Sequence, residues 1–256
     1  GVREFCMGLC ANGIALYNTG LPYTSTFAVF SDFMKPALRL AALQEVNAVF
    51  VFTHDSIFVG EDGPTHQPIE QVSMLRAIPG LTVIRPAESH EVAGAWEQAV
   101  QIDGPVAMFL TRQKTENIPA EYQGNIKVQC GAYVLSEDPD FDTILIATGS
   151  ELTPTQKAAD KLRQQGHKIR VVSMPSWELF EEQDEDYKKS ILPDECTKTV
   201  SVEAATTFGW QKYTGSKGLN IGLDHFAQSG PAEVLQEKYG LTPQALATKI
   251  AEYIAQ

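Results

Sequence analysis

The chain has 256 residues, 43% of them hydrophobic and 20% charged, and carries a formal net charge of −12. That length supports two medium domains more readily than one, and the acidic balance argues against general binding to nucleic acid or to an anionic membrane. No apolar run approaches the roughly 20 residues of a membrane span, no basic-then-apolar leader opens the chain, and the sparse cysteines, Cys6, Cys10, Cys130 and Cys196, read as buried or half-buried thiols of a reducing, cytoplasmic compartment.

Apolar strands alternate with amphipathic segments, the pattern of an α/β protein with two mostly parallel sheets flanked by helices. Residues 3–17 read as a helix with no strand before them, the expectation for a fragment or one subunit of a split protein. A turn-rich LPYTSTF follows, then a helix over 31–45 with Pro36 in its first turns. NAVFVFTH is a buried strand, 68–77 a short helix, and LTVIRP a strand stopped by Pro86. ESHEVAGAWEQAVQ is helical and GPVAMFLTR again a strand. This first unit occupies residues 1–115; the polar stretch 116–127 reads as a linker, and 128–256 as a second unit. In that unit DTILIATGS runs into a helix that Gly166 ends, HKIRVVSMP, TKTVSVEA and LNIGL are strands, EEQDEDYKK is a solvated helix start, and two helices close the chain.

The densest chemistry lies in THDSIFVGEDGPTHQPIE, residues 53–70, just past the carboxyl end of a parallel strand. In open α/β sheets ligands bind there. Gly60, Gly63 and Pro64 fix an irregular backbone from which His54, Asp62 and His66 project. Neutral imidazoles exchange protons and bind hydroxyls near neutral pH. A two-histidine metal site is a rival reading without supporting ligand spacing, and ordinary surface histidines are another. Phe27, Phe30 and Phe33 recur at spacing three, a core stripe on sequence alone. Arg112 reads as a strand-end arginine and Glu4 as an acid favoured by a helix dipole.

THDSIFVGEDGPTHQPIE closely resembles the transketolase motif. Likeness continues through GVREFCMGLCANGIAL, LPYTSTFAVFSDF, FLTRQ, ATGSEL, VVSMPSWELF, VEAATTFGW and GLDHFAQSGPAEVL, and so covers essentially the whole chain. The resemblance implies that 1–115 is most of a pyrimidine-binding domain of a thiamine-diphosphate enzyme and 128–256 a transketolase C-terminal domain. It implies transfer of a two-carbon ketol unit from a ketose phosphate to an aldose phosphate, as in the pentose phosphate pathway. The family's Gly-Asp-Gly segment, which holds magnesium (or calcium) and the diphosphate, does not occur here, so no metal ligands are expected in these residues. Family active sites form between two chains; the expected partners are sugar phosphates, a diphosphate-binding domain or subunit, and a second copy in a homodimer, with no nucleic acid and no membrane. Such a chain alone is expected to be inactive, and a non-catalytic binding or assembly module is the alternative.

The same resemblance assigns roles. Glu4 hydrogen-bonds a ring nitrogen of the cofactor's aminopyrimidine, favouring the imino tautomer that takes the proton from the thiazolium carbon. Phe27, Phe30 and Phe33 form the aromatic pocket for that ring. His66 contacts the donor near the reacting carbon, Asp62 reads a sugar hydroxyl, and His54 and Arg112 grip the acceptor phosphate. Phe58 stands where the family usually has glycine, and is expected to narrow the pocket mouth or to alter substrate preference. ATGSEL is a weak phosphate-type turn, and His225 is read as structural.

Overall fold

The computed structural model describes residues 2–256 and contains two sheets. Strands β1 (Tyr23–Phe27), β2 (Val49–Thr53), β3 (Thr82–Ile84) and β4 (Val106–Leu110) form the first, in the order β1-β2-β4-β3, all parallel. Helices α1 (Glu4–Tyr17), α2 (Ser31–Leu43), α3 (Gln71–Arg76) and α4 (Ser89–Gln101) flank it. The runs VFVFT and VAMFL are buried on both faces, as parallel strands under two helix layers must be. At Gly8 a Cβ would come within 2.7 Å of the Ala37 Cβ, so the missing side chain is what lets α1 approach α2 so closely.

The second sheet contains β5 (Tyr133–Glu137), β6 (Thr143–Ala147), β7 (Ile169–Ser173), β8 (Lys198–Val202) and β9 (Leu219–Ile221), in the order β5-β7-β6-β8-β9. Only β5 runs antiparallel to its neighbour. Its helices are α5 (Leu152–Gln164), α6 (Trp177–Glu181), α7 (Glu185–Ile191), α8 (Gln211–Thr214), α9 (Ala232–Lys238) and α10 (Pro243–Ile254). From β6 the chain moves to β7 on one side and then returns to β8 on the other, so the topological switch point lies between β6 and β8.

Three sequence expectations change. LPYTSTF contains a strand, β1, not a turn; its polar Tyr-Thr-Ser-Thr run suits a sheet edge, where β2 is its one partner. The acidic EEQDEDYKK segment ends α6 and starts α7, with the Asp184 side chain accepting the Tyr187 N–H at 2.7 Å as the cap. Cys6 and Cys10 are exposed on α1 instead of buried.

The two units meet in one apolar cluster, apart from the clusters that pack the strands of the first sheet. Ile57, Phe58, Ile69 and Ala87 from the first unit pack in the same cluster as Leu145, Leu152, Val202 and Leu223 from the second. Polar anchors reinforce it. The buried Glu91 carboxylate of α4 accepts hydrogen bonds from Tyr133 Oη at 2.6 Å and Ser173 Oγ at 2.5 Å across the interface. Arg76 of α3 makes a paired salt bridge to Glu203 at 2.9 and 3.0 Å, and its guanidinium lies 4.1 Å from the Trp177 ring centroid. No helix among the described residues is long and apolar enough to cross a membrane.

Candidate active site

The carboxyl ends of β1, β2 and β4 converge on one edge of the first sheet. Parallel register sets Phe27 against Thr53, and Thr53 against Leu110. His54 and Arg112 follow these strand ends by one and two residues, so adjacent strands deliver both to one place.

Beyond Thr53 the backbone leaves the sheet abruptly. His54 takes φ +57, a left-handed conformation uncommon outside glycine. Ser56 Oγ accepts the Phe58 N–H at 3.5 Å as the chain enters a 3-10 turn, Ile57–Val59. Gly60 then adopts φ 101, ψ −147, which only glycine occupies readily. A Cβ there would lie 3.5 Å from Arg112 Cζ, so the guanidinium rests over this glycine. Pro64 opens the next 3-10 turn, Pro64–His66. The second unit holds the loop: Gly63 N–H donates to Ser229 Oγ at 3.2 Å, and Gln67 Nε2 donates to Ile57 O and to Gln228 O, each at 3.1 Å.

The aromatic and imidazole rings form one continuous run. His54 stacks on Phe27 with centroids 3.7 Å apart. Phe27 stacks with Phe30 at 6.0 Å, and Phe30 meets Phe33 at 6.1 Å and the His66 edge at 5.6 Å. The phenylalanines are therefore not a helical core stripe: Phe27 ends β1, Phe30 lies in a 3-10 turn and Phe33 starts α2 and is exposed. His54 Nδ1 shares a hydrogen bond with Thr53 Oγ1, and His66 Nδ1 with Thr65 Oγ1, each at 3.0 Å. Burial lowers the His54 pKa, the Arg112 charge lowers it further, and Asp62 and Asp55 oppose both. His54, Asp62 and Arg112 thus belong to one electrostatic site, with Asp62 and Arg112 exposed at its rim.

Glu4 begins α1. Its Oε2 is buried with no hydrogen-bond partner, an acceptor that the protein itself leaves unused. Phe58 does not narrow an open mouth; it is buried in the shared core and lines one wall of a cavity of about 780 Å³ beside Arg112, Lys114 and Lys157. The lining of that cavity does not include His54, His66 or the Phe27–Phe30 rings. No group of three or more His, Cys, Asp or Glu side chains suited to a metal ion occurs among the described residues. The polar residues that sequence reasoning passed over are Asp55 and Arg85. Arg85 follows a buried strand just as Arg112 does, and that position was the signal available for it.

An open sheet with a histidine, arginine and aromatic cluster at its carboxyl edge defines an α/β ligand-binding or catalytic protein. The transketolase pyrimidine-binding domain family matches residues 1–117, and the transketolase-like C-terminal domain family matches residues 131–242. A transketolase of Aquifex aeolicus (strain VF5) is 50% identical over 255 residues, covering 98% of this chain and 37% of its own length. The solved transketolase from Leishmania mexicana has a TM-score of 0.93 and 40% identity, covering 100% of this chain and 37% of that one. A split-gene transketolase, described as an inactive beta4 tetramer, shares the fold with a TM-score of 0.81 at 22% identity, covering 99% of this chain and 82% of its own. The chain belongs to the transketolase family. It spans about 37% of the length of the Aquifex and Leishmania relatives.

The family implies dependence on thiamine diphosphate. The residues present fit an aminopyrimidine: Phe27 and Phe30 offer flat apolar faces, and the partnerless Glu4 Oε2 offers a buried acceptor for a ring nitrogen.

Proposed function

We propose that this chain forms the pyrimidine-side half of a transketolase active site, which transfers a two-carbon ketol unit from a ketose phosphate to an aldose phosphate. The observation that carries the reading is the unbroken run of rings from His54 through Phe27 and Phe30 to His66 at the carboxyl edge of a parallel sheet. Glu4, Phe27, Phe30 and Phe33 hold the aminopyrimidine of thiamine diphosphate. When bound, that cofactor supplies the electron sink needed to break a carbon–carbon bond beside a carbonyl. Magnesium or calcium, with the diphosphate, belongs to a diphosphate-binding domain or subunit outside these residues.

The chain's own residues then act as follows. The Glu4 carboxylate accepts a hydrogen bond from, or shares a proton with, a cofactor ring nitrogen. The apolar rings exclude water from the reacting face. His54, with Nδ1 committed to Thr53 and its pKa lowered, stays neutral and keeps Nε2 for the acceptor. Arg112 grips the phosphate through two parallel N–H donors. Asp62 reads a sugar hydroxyl, and His66, closest to the donor carbon, exchanges a proton with its oxygen.

The partner face is also readable. Val2, Phe5, Leu9, Ile14, Leu16 and Tyr17 on and before α1 are exposed apolar residues beside Glu4 in the chain. A patch of this kind marks an interaction surface, and we assign it to the diphosphate-binding part and the second copy of a homodimer. The free thiols suit a reducing compartment such as the cytoplasm.

The test is reconstitution. The 256 residues alone, with thiamine diphosphate and magnesium, are expected to show no ketol transfer, and addition of a diphosphate-binding half is expected to restore it. In the assembled enzyme Glu4→Gln should lower turnover on the order of 10²-fold, as for a lost proton-transfer group. Turnover by the purified chain alone contradicts the reading.

A further inference from the structure

The strand ends of the second sheet hold an arginine from the first. Arg85 directly follows β3, and its side chain is fully buried. Its Nη1 donates to Glu151 Oε2 at 2.5 Å and to Thr148 O at 3.0 Å, both just after β6, and lies 3.6 Å from Glu203 Oε1, just after β8. Those positions frame the switch point between β6 and β8, where doubly wound sheets usually bind their ligands. The backbone is built around this insertion. Gly149 has φ +60, and a Cβ there would fall 2.5 Å from Arg85 Cζ. The Gly149 N–H donates to Arg85 O at 3.1 Å, and the Arg85 N–H to Pro175 O at 2.8 Å. The ATGSEL turn, which resembled a phosphate cradle, holds a guanidinium instead.

The other side of the same guanidinium reaches the sugar-reading loop. Arg85 Nε donates to Asp55 Oδ2 at 2.8 Å. β4 lies between β3 and β2 in the sheet, so Arg85 extends over the end of β4 to reach the residue after His54. Asp55 is buried, and Arg85 is its ion-pair partner. His54, one residue earlier, is held in the left-handed conformation, φ +57, which is uncommon outside glycine.

We infer that Arg85 occupies the ligand-type crevice of the C-terminal sheet as a built-in cation and is a positioning residue for His54, which it fixes through Asp55. The C-terminal unit acts on the site by supplying Glu151 and Glu203, which aim the guanidinium. The consequence for substrate rests on the sugar-reading role of His54 given above; the consequence for His54 geometry does not.

The experiment is histidine NMR on the 256-residue chain, with the His54 signal assigned by its loss in His54→Asn. Arg85→Lys keeps the charge but replaces the planar fork, whose Nε and Nη1 face Asp55 and Glu151 separately, with a single ammonium. Glu151→Gln keeps the shape and removes the carboxylate that aims Arg85, and it serves where Arg85→Lys does not fold. Arg85→Lys is expected to shift the His54 resonances and to raise its titration midpoint, as the Asp55 charge is less fully compensated, whereas Glu151→Gln, which removes a negative charge and leaves Arg85 to Asp55, is expected to shift the resonances and to lower the midpoint. His167, which lies before the start of β7 and so at the opposite end of the sheet from the Arg85 network, should stay in place. Leu246→Ala, which destabilises the same unit through its core, should leave His54 unmoved. An unmoved His54 in both variants, or a general shift of every histidine that Leu246→Ala reproduces, overturns the inference. In the assembled enzyme the same variants should raise KM for phosphorylated acceptors about 10-fold while kcat changes less than about twofold, since the contact serves ground and transition states alike. If His54→Asn leaves that KM unchanged while the NMR result holds, the sugar-reading role fails and the positioning role stands.

Discussion

The imidazole of His54 stacks on the ring of Phe27 at a centroid distance of 3.7 Å and an angle of 21°. The contact joins the aromatic pocket to the polar loop and partly desolvates a histidine at the edge of an open site. Desolvation lowers its pKa, Arg112 adds to the effect, and Asp62 and Asp55 oppose it.

His54 should therefore titrate below the ordinary value of about 6.5 and be neutral at physiological pH. Phe27→Ala and Arg112→Ala should each raise its midpoint, while Asp62→Asn should lower it. Histidine NMR across pH 4 to 8 reads all three signs, and a wild-type midpoint at or above about 6.5 contradicts the electrostatic description.

Arg76 tests how the two units are joined. Its side chain and that of Glu203 are 2% and 1% exposed, and removing one partner leaves the other charge buried and unpaired. Arg76→Ala should cost about 3–5 kcal/mol in urea unfolding. Because the pair spans the interface, the variant should also separate one cooperative transition into two. A single transition with a loss below about 1 kcal/mol would match an exposed pair instead.

Glu203 makes this stability depend on pH. Burial works to raise its pKa, but Arg76 and Arg85 outweigh that and hold it below the usual carboxylate range. The unfolded carboxyl, near about 4.3, then binds protons more tightly than the folded one. The Glu203 contribution is thus full above about pH 4.3 and is lost as pH falls through the folded value. Glu203→Gln should flatten the acid limb of a stability–pH curve; an unchanged acid limb refutes the assignment.

Much of the fold was legible in sequence because buried parallel strands leave continuous apolar runs: VFVFT, TILIA and IRVVS all became strands. β1 was not legible because an edge strand of Tyr, Thr and Ser reads like a loop. In the candidate site, His54 and His66 stood out on a polar loop after a strand, and Arg112 through the likeness of FLTRQ to the family. The Asp55–Arg85–Glu151–Glu203 network was not, since its partners lie 30 and 66 residues apart along the chain and belong to different sheets. The burial of Phe58 was not legible for the same reason: packing partners of its ring come from the second unit.

The central claim is that the loop after β2, with Arg112, reads a phosphorylated sugar. The measurement that tests it most directly is the pair of Michaelis constants for phosphorylated and non-phosphorylated acceptors in the assembled enzyme carrying Arg112→Ala. Loss of a charged hydrogen-bond pair predicts a rise of about 10- to 100-fold for the phosphorylated acceptor, with little change for the other. Equal losses on both acceptors would contradict the account.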